Sequence, residues 1–201
     1  MIERVDILGC GCAAVDDLLT VESYPAADQR MPVRRWERQC GGLTATALVA
    51  AARLGARCRY VGSLGYDELS DFALAALQRE GIDIAQVPRR EGVRLVHSII
   101  VVAEDRRTRN IFFHREPGMG MSPDVPLGEW VRAARVLFVD DVDVGASLRA
   151  VRAAREAGIP VVADCESGTA PGCAELVAGV GHLILSLDVA SELAGGGAAP
   201  D

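Results

Sequence analysis

Apolar residues follow two spacings along this chain, and each spacing predicts a different kind of element. Short continuous apolar runs predict strands at 5–10, 59–61, 136–139, 161–163 and 183–185. Apolar residues that recur every three or four positions predict helices at 43–54, about 69–80, about 147–157 and near Glu175. Gly81 and Gly158 follow two of these segments, as expected of residues that end a helix. Strands that alternate with helices predict a doubly wound, mostly parallel α/β sheet with helices on both faces.

Two regions depart from this alternation. VRLVHSIIVV (93–102) and RNIFFHR (109–115) are rich in β-branched and aromatic residues, and the charged turn EDRRT between them predicts an antiparallel hairpin. The segment 18–39 has no helical period and contains Pro25 and Pro32, so it is also expected to be extended. Together 18–39 and 93–115 predict a small β layer outside the main sheet. Beside the carboxyl ends of parallel strands such a layer is placed to act as a lid, and the alternative is a β insertion without a function.

Composition limits the function classes. Half of the 201 residues are hydrophobic, which is enough for one sizeable core. A net charge of -7 without a basic stripe argues against nucleic acid as a partner. Apolar runs such as 47–52 are far shorter than the roughly 20 residues of a membrane span. The start MIERVDILG carries charges and no long apolar region, so we expect a cytoplasmic protein without a membrane partner.

The six cysteines are expected to be structural thiols. They form no C-x-x-C pair, and several lie inside apolar runs, where a reduced thiol behaves as a small hydrophobic side chain. A metal site and disulfides are the alternatives.

Carboxylates follow three of the predicted strands. Their positions are Asp16 and Asp17 after the first strand, Asp140, Asp141 and Asp143 after 136–139, and Asp164 and Glu166 after 161–163. The carboxyl ends of parallel strands share one edge of a sheet, where ligands bind. Because carboxylates accept hydrogen bonds from neighbouring hydroxyls, this edge suits a polyol. Helix capping is the alternative for each of these residues.

The stretch GCGCAA (9–14) fits the pattern G-x-G-x-x-A, and Asp28 lies about where a ribose-binding acid would be expected. That pattern binds a dinucleotide only when it opens a helix whose amides face the pyrophosphate. Here VDDLLTVESYP follows, with an acidic pair and then an extended segment. A nicotinamide-dependent enzyme is therefore the disfavoured alternative.

The segment GGLTATALVAAARLGARCRYVGSLGYDELSDFALAALQREGID (41–83) resembles the signature of the ribokinase-like sugar kinases, the PfkB family. A Gly-Gly pair opens a helix that ends in A-R-L-G, and Gly62, Gly65 and Asp67 match the G-x-x-G-x-D stretch that follows. The resemblance extends from GCAAVDD through the hairpin and PGMGMSP (117–123) to about Gly195. It implies a single ribokinase-like domain over 1–201 that takes part in ATP- and Mg²⁺-dependent phosphorylation of a sugar or nucleoside.

The resemblance also implies roles for individual residues. Asp16, Gly41 and Gly42 would line the substrate pocket, and a plain turn is the alternative for the glycines. Thr46, where the family usually has Asn, and Asp141 join them as substrate-binding candidates. Asp164 and Ser186 are the cofactor-binding candidates. The family's N-x-x-E element would fall at 186–189, with Asp188 and Glu192 as the nearby acids, which leaves the metal position open.

The family's G-A-G-D motif, which supplies the anion hole and the catalytic base, does not occur in these 201 residues. No catalytic residue is assigned, and the base is expected beyond residue 201. We therefore expect this polypeptide to be inactive alone, either as a truncated or split kinase or as a noncatalytic sugar-binding remnant. The predicted lid is also a candidate homodimer contact. His97 and His114 receive no role. Phe112 and Phe113 are candidates to stack on a base, and packing alone is the alternative for them.

Overall fold

The predicted order of elements is present in the structure, a computed structural model that describes residues 2–116, 121–122, 125–167, 170–193 and 195. Most of PGMGMSP and of the last seven residues, GGGAAPD, lies outside these ranges. The elements are β1 (Val5–Cys10), β2 (Ala14–Val21), β3 (Arg35–Gly41), α1 (Leu43–Arg53), β4 (Cys58–Tyr60), α2 (Glu68–Arg79), β5 (Val96–Ala103), β6 (Thr108–His114), α3 (Leu127–Arg132), β7 (Ala134–Asp140), α4 (Val144–Ala157), β8 (Val161–Cys165), α5 (Cys173–Gly179), β9 (His182–Leu185) and α6 (Leu187–Leu193).

The central sheet has the order β4-β1-β7-β8-β9, and all of its pairings are parallel. Successive residues of a strand point to opposite faces, so each buried strand supplies two cores. On one face Leu8, Leu137 and Val151 pack in the cluster under α3, α4 and α5. On the other face Leu48 and Tyr60 pack in the cluster under α1 and α2. The predicted α/β class, with helices on both faces, is confirmed.

A second sheet of four strands has the order β3-β2-β5-β6. Strands β5 and β6 form the predicted antiparallel hairpin, and β2 runs antiparallel to β3 and parallel to β5. The turn between β5 and β6 includes Arg107 in the left-handed region, with φ 53°. The hairpin thus lies outside the central sheet, as the sequence predicted.

One predicted boundary is wrong, and it changes the position of two acids. Strand β2 begins at Ala14, and only three residues separate it from β1. Asp16 and Asp17 were expected at the carboxyl edge of the central sheet, but they lie inside β2 of the second sheet. The chain reaches this sheet directly from β1, so Asp16 still lies near that edge.

Two short helices were not predicted from the sequence. α3 has six residues and α6 has seven. Fewer than two turns give too little apolar repetition for a period to be recognised. None of the helices in the described ranges is long and apolar enough to cross a membrane.

The cysteines are free, and five of the six are buried. Burial raises the pKa of the Cys40 and Cys58 thiols to about 11 and that of Cys165 to about 12. The thiols therefore remain protonated at neutral pH and pack as small apolar groups. No group of three or more metal-ligating side chains occurs within the described ranges.

Candidate functional site

A cleft of about 890 Å³ lies between the second sheet and the carboxyl edge of the central sheet. Its walls come from β2, β5 and β6, from one side of α1, and from residues at or near the ends of β7, β8 and β9. Five of the seven predicted ligand-binding residues line it, namely Asp16, Gly42, Thr46, Asp141 and Asp164. Gly41 and Ser186 do not line it.

The second sheet presents alternate residues to the cleft. Those that line it are Ala14 and Asp16 from β2, Val96, Ser98 and Ile100 from β5, and Arg109, Ile111 and Phe113 from β6. This period of two is the geometry of a β-strand, and the pairing of Asp16 with Ser98 puts both on the same face. One face of the second sheet is therefore a wall of the cleft, with Arg115 just beyond the end of β6.

Asp16 and Asp17 have different surroundings because they point to opposite faces of β2. The carboxylate of Asp17 accepts two hydrogen bonds from Arg38, at 2.8 and 2.9 Å, and contacts His97 Nε2 at 2.9 Å. The hydrogen bonds from Arg38, together with His97, lower the pKa of Asp17 to about 2. Asp16 has no hydrogen bond or ion pair with any residue in the described ranges. Of these two residues, Asp16 is the one whose carboxylate lines the cleft.

The Gly41-Gly42 pair has a steric explanation. Gly42 precedes α1 with φ 94°, and a Cβ there would lie 2.8 Å from the backbone of Cys12, Ala13 and Ala14. At Gly41 a Cβ would collide with the carboxylate of Asp16. The two glycines therefore let the start of α1 approach the β1-β2 connection and leave room for Asp16. Thr46, in the first turn of α1, is consequently exposed to the cleft.

Asp140 connects separate segments of the chain through buried hydrogen bonds and does not line this cleft. It is fully buried, and its Oδ2 accepts hydrogen bonds of 2.6 Å from the Cys12 amide and from the Thr44 hydroxyl. Its Oδ1 accepts one of 3.1 Å from the Val142 amide. Burial raises the pKa of this carboxyl, and the hydrogen bonds oppose that change. Asp140 thus ties the end of β7 to the β1-β2 connection and to α1.

The acidic residues at the ends of β7 and β8 differ in their hydrogen bonds and in their pKa shifts. Asp141 Oδ2 accepts hydrogen bonds from the Ser167 amide at 2.8 Å and the Ser167 hydroxyl at 3.0 Å, which holds the loop after β8. Burial, and then the Asp141 carboxylate, raise the pKa of Asp164, and burial raises that of Glu166. Asp143 accepts a hydrogen bond from the Ala146 amide and caps α4, so the capping alternative is correct for this residue.

The pfkB family carbohydrate kinase pattern matches residues 11–197. The chain belongs to the pfkB family. Mouse (Mus musculus) ketohexokinase is 30% identical over 115 residues, which are 56% of this chain and 38% of that protein. The 5-dehydro-2-deoxygluconokinase of Shouchella clausii is 28% identical over 174 residues, 80% of this chain and 50% of that protein.

The fold also matches solved pfkB-type structures. Ribokinase of Arabidopsis thaliana, solved with ribose and ATP, superposes with a TM-score of 0.77 and 20% identity, over 96% of this chain and 64% of that one. This likeness confirms the ribokinase-like fold. The chain spans about half, or less, of the length of the two curated relatives named above.

In this pfkB-family chain the described residues form only part of the region that is expected to bind the cofactor. Ser186 Oγ accepts a hydrogen bond of 3.3 Å from the Val189 amide and so caps α6. Asp188 lies in the first turn of that helix, and no cluster suited to a metal ion occurs in the described ranges. These residues therefore do not fit a magnesium site by themselves.

The dinucleotide alternative for GCGCAA does not agree with the fold. After β1 the chain continues as β2, so the residues that follow the glycines form a strand where the pattern requires a helix. The glycines of GCGCAA therefore do not open a helix whose amides could face a pyrophosphate. Asp28 lies on the exposed connection between β2 and β3.

Proposed function

We propose that this chain forms the sugar-binding part of a pfkB-type carbohydrate kinase and that the substrate binds in the cleft. The observation that carries the proposal is the Asp16 carboxylate, which faces the cleft without a hydrogen-bond donor among the described residues. Two neighbouring hydroxyls of a sugar are donors that match one carboxylate. Asp141 and Thr46 line the same cleft and add polar groups to it.

The second sheet is proposed to act as a lid over the bound sugar. Its cleft face carries Ile100, Ile111 and Phe113, apolar side chains that exclude water when they approach a ligand. Phe113 is 65% exposed, so its ring is accessible for packing against a bound ligand. A lid of this kind also completes the cleft only when a substrate is present.

A second copy of this chain is the proposed partner of the outer face of the second sheet. Trp36, Ile99 and Phe112 are exposed there, and β6 leaves one sheet edge unpaired within the described ranges. Exposed apolar faces and sheet edges favour association between copies.

ATP with Mg²⁺ is the proposed phosphoryl donor of the whole kinase, and Asp164, which lines the cleft, is the proposed cofactor-binding residue. When bound, it supplies the transferred phosphoryl group. Because no G-A-G-D sequence occurs in these 201 residues, the polypeptide is expected to bind sugar without turnover. The names of the relatives include a ketohexose kinase and a gluconate-derivative kinase, so the family alone leaves the sugar open.

The experiment is titration calorimetry of the 201-residue polypeptide with a panel of neutral sugars, sugar acids, sugar phosphates and nucleosides. Asp16→Asn is expected to weaken the best ligand by at least about tenfold, because hydrogen bonds to a charged acceptor are lost. The matched control is Asp28→Asn, on an exposed connection outside the cleft. Equal affinity of wild type and Asp16→Asn for every bound ligand would contradict the proposal.

Turnover is measured separately, by coupled ADP release with ATP, Mg²⁺ and the best ligand. Binding without ADP release is the expected result for this polypeptide. Turnover near the enzyme median of about 10 per second would show that the catalytic base lies within these residues, with Asp141 and Asp164 as the first to substitute. Binding with no turnover even after the family's C-terminal region is supplied would favour the noncatalytic remnant.

A further inference from the structure

The cleft contains two positive charges that the recognition of neutral hydroxyls does not require. Arg109 and Arg115 lie on the same side of the second sheet, with Ile111 and Phe113 between them. Both side chains are exposed, and each lines the cleft. A neutral sugar has no group that needs a guanidinium.

The two arginines occupy different ends of the cleft. Arg115 Nη1 lies 3.5 Å from the Val142 carbonyl, just after Asp141. Phe113, two residues before Arg115, lies opposite Ser98, which in turn lies opposite Asp16. Arg109 lies opposite Val102, next to the turn between β5 and β6. Arg115 is therefore at the end of the second sheet that holds Asp16, and Arg109 is at the end near the turn.

Arg115 also lacks an anionic partner. Some exposed arginines elsewhere are paired, as Arg34 is with Glu22 and Arg152 with Glu175, whereas Arg90 and Arg155 have no ion pair within the described ranges. Within the described part of the chain Arg115 has no ion pair, and the carbonyl contact at 3.5 Å is at the limit of a hydrogen bond. Its planar fork of donors matches a carboxylate or a phosphate in two parallel hydrogen bonds.

We infer that the substrate of the cleft is an acidic sugar, whose carboxylate or phosphate binds Arg115 while its hydroxyls bind Asp16. The arrangement fixes the orientation of such a ligand. Asp164 and Glu166 repel an anionic group from their side of the cleft, and Arg115 attracts it to the end that holds Asp16. This inference rests on the proposed sugar site and adds the class of sugar.

The test compares three six-carbon compounds that differ in charge: the neutral ketose fructose, the keto sugar acid 5-ketogluconate and fructose 6-phosphate. Titration calorimetry on the 201-residue polypeptide is expected to show at least one acidic ligand binding about tenfold or more tighter than fructose. The ligand that shows this preference identifies carboxylate or phosphate as the anionic group. The preference is expected to decrease as ionic strength rises.

Three variants test which arginine causes the tighter binding of the acidic ligand. Arg115→Gln is expected to bring the acidic ligand to within about twofold of fructose, because only the charge-assisted contact is removed. Arg109→Gln removes a charge from the same face at the other end of the cleft, and Arg106→Gln removes one from the hairpin turn. Both are expected to keep the preference. Arg115 is exposed, so its substitution leaves the core intact, and thermal unfolding of each variant verifies this.

The outcomes separate the two proposals. Fructose binding that Asp16→Asn weakens, with no preference for either acid, supports the sugar site and overturns the inference. A preference that survives Arg115→Gln also overturns it. If the wild-type polypeptide binds none of these three ligands and no other ligand of the panel, the proposed function fails, and the inference fails with it.

Discussion

The carboxylate of Asp140 accepts a hydrogen bond of 2.6 Å from the hydroxyl of Thr44, a residue 96 positions earlier in the chain. The same carboxylate oxygen holds the Cys12 amide at 2.6 Å. Three segments therefore meet at one buried acid: the end of β7, the β1-β2 connection and the first turn of α1. This junction positions Asp16 and Gly42 relative to Asp141.

Removal of this acid is expected to destabilise the fold. Asp140→Ala leaves the Cys12 amide and the Thr44 hydroxyl buried without an acceptor, so we expect a loss of about 3 kcal/mol in the free energy of unfolding. Thr44→Val is expected to cost about 1–2 kcal/mol. Urea unfolding of both single variants and the double variant measures their coupling, expected at about 1 kcal/mol. Thr46→Val, on the exposed side of the same helix, is the control and should change stability by less than about 0.5 kcal/mol. Additive single effects would contradict the proposed junction.

Gly42 and Gly55 form a matched pair for the steric role of the glycine turn. Both have φ 94°, but a Cβ at Gly55 would meet open space, while at Gly42 it would meet backbone at 2.8 Å. Gly55→Ala therefore reports the conformational strain alone, about 1 kcal/mol. Gly42→Ala is expected to cost at least about 2 kcal/mol more, because the backbone of the β1-β2 connection must move. Equal losses of unfolding free energy in urea would show that the close approach at Gly42 is unimportant.

Stability is expected to fall in acid through Asp17. Its folded-state pKa is about 2, lowered from an ordinary value of 3.8 mainly by the hydrogen bonds from Arg38. Because the folded pKa lies below the unfolded one, the stabilisation is fully present above about pH 4 and is lost as pH falls towards 2. We expect a contribution of about 2 kcal/mol at neutral pH. Asp17→Asn should lower stability at pH 7 and flatten its pH dependence between pH 4 and 2.

Asp16→Asn is the control for the acid experiment, since this neighbour on the opposite face of β2 has no partner in the described ranges. Asp6, whose pKa is also lowered to about 2 by hydrogen bonds with Arg57, titrates in the same window. Only the difference between variant and wild type therefore reports Asp17. An unchanged slope in Asp17→Asn would contradict the assignment.

Association through the second sheet can be tested with two adjacent aromatic residues. Phe112 lies on the outer face and Phe113 on the cleft face of β6. Phe112→Ser is expected to shift the mass measured by size-exclusion chromatography with light scattering from dimer to monomer. Phe113→Ser, which removes the same side chain from the other face, should leave the mass unchanged. A wild-type monomer at high concentration would refute the dimer.

Much of the fold follows from local sequence patterns. The apolar run before Gly11 predicts β1, and helical periodicity predicts α1, α2 and α4 to within a few residues. In a helix every third or fourth residue faces the core, and in a strand every second residue does. The order of apolar and polar residues within each segment therefore indicates which face is buried. The hairpin of β5 and β6 is predictable for the same reason, and the segment 41–83 carries the family resemblance.

Only the tertiary structure decided which side chains meet. The contact of Asp140 with Thr44 joins residues 96 positions apart, and no local period encodes such a distance. Asp16 and Asp17 appear as one acidic pair in the sequence, but the pleat of β2 gives one to the cleft and the other to Arg38. The pairing of β6 with β5 determines which face of β6 turns Arg109, Ile111 and Phe113 toward the cleft. A sequence specifies the residues of each element, whereas the packing of one element on another selects the few that face a ligand.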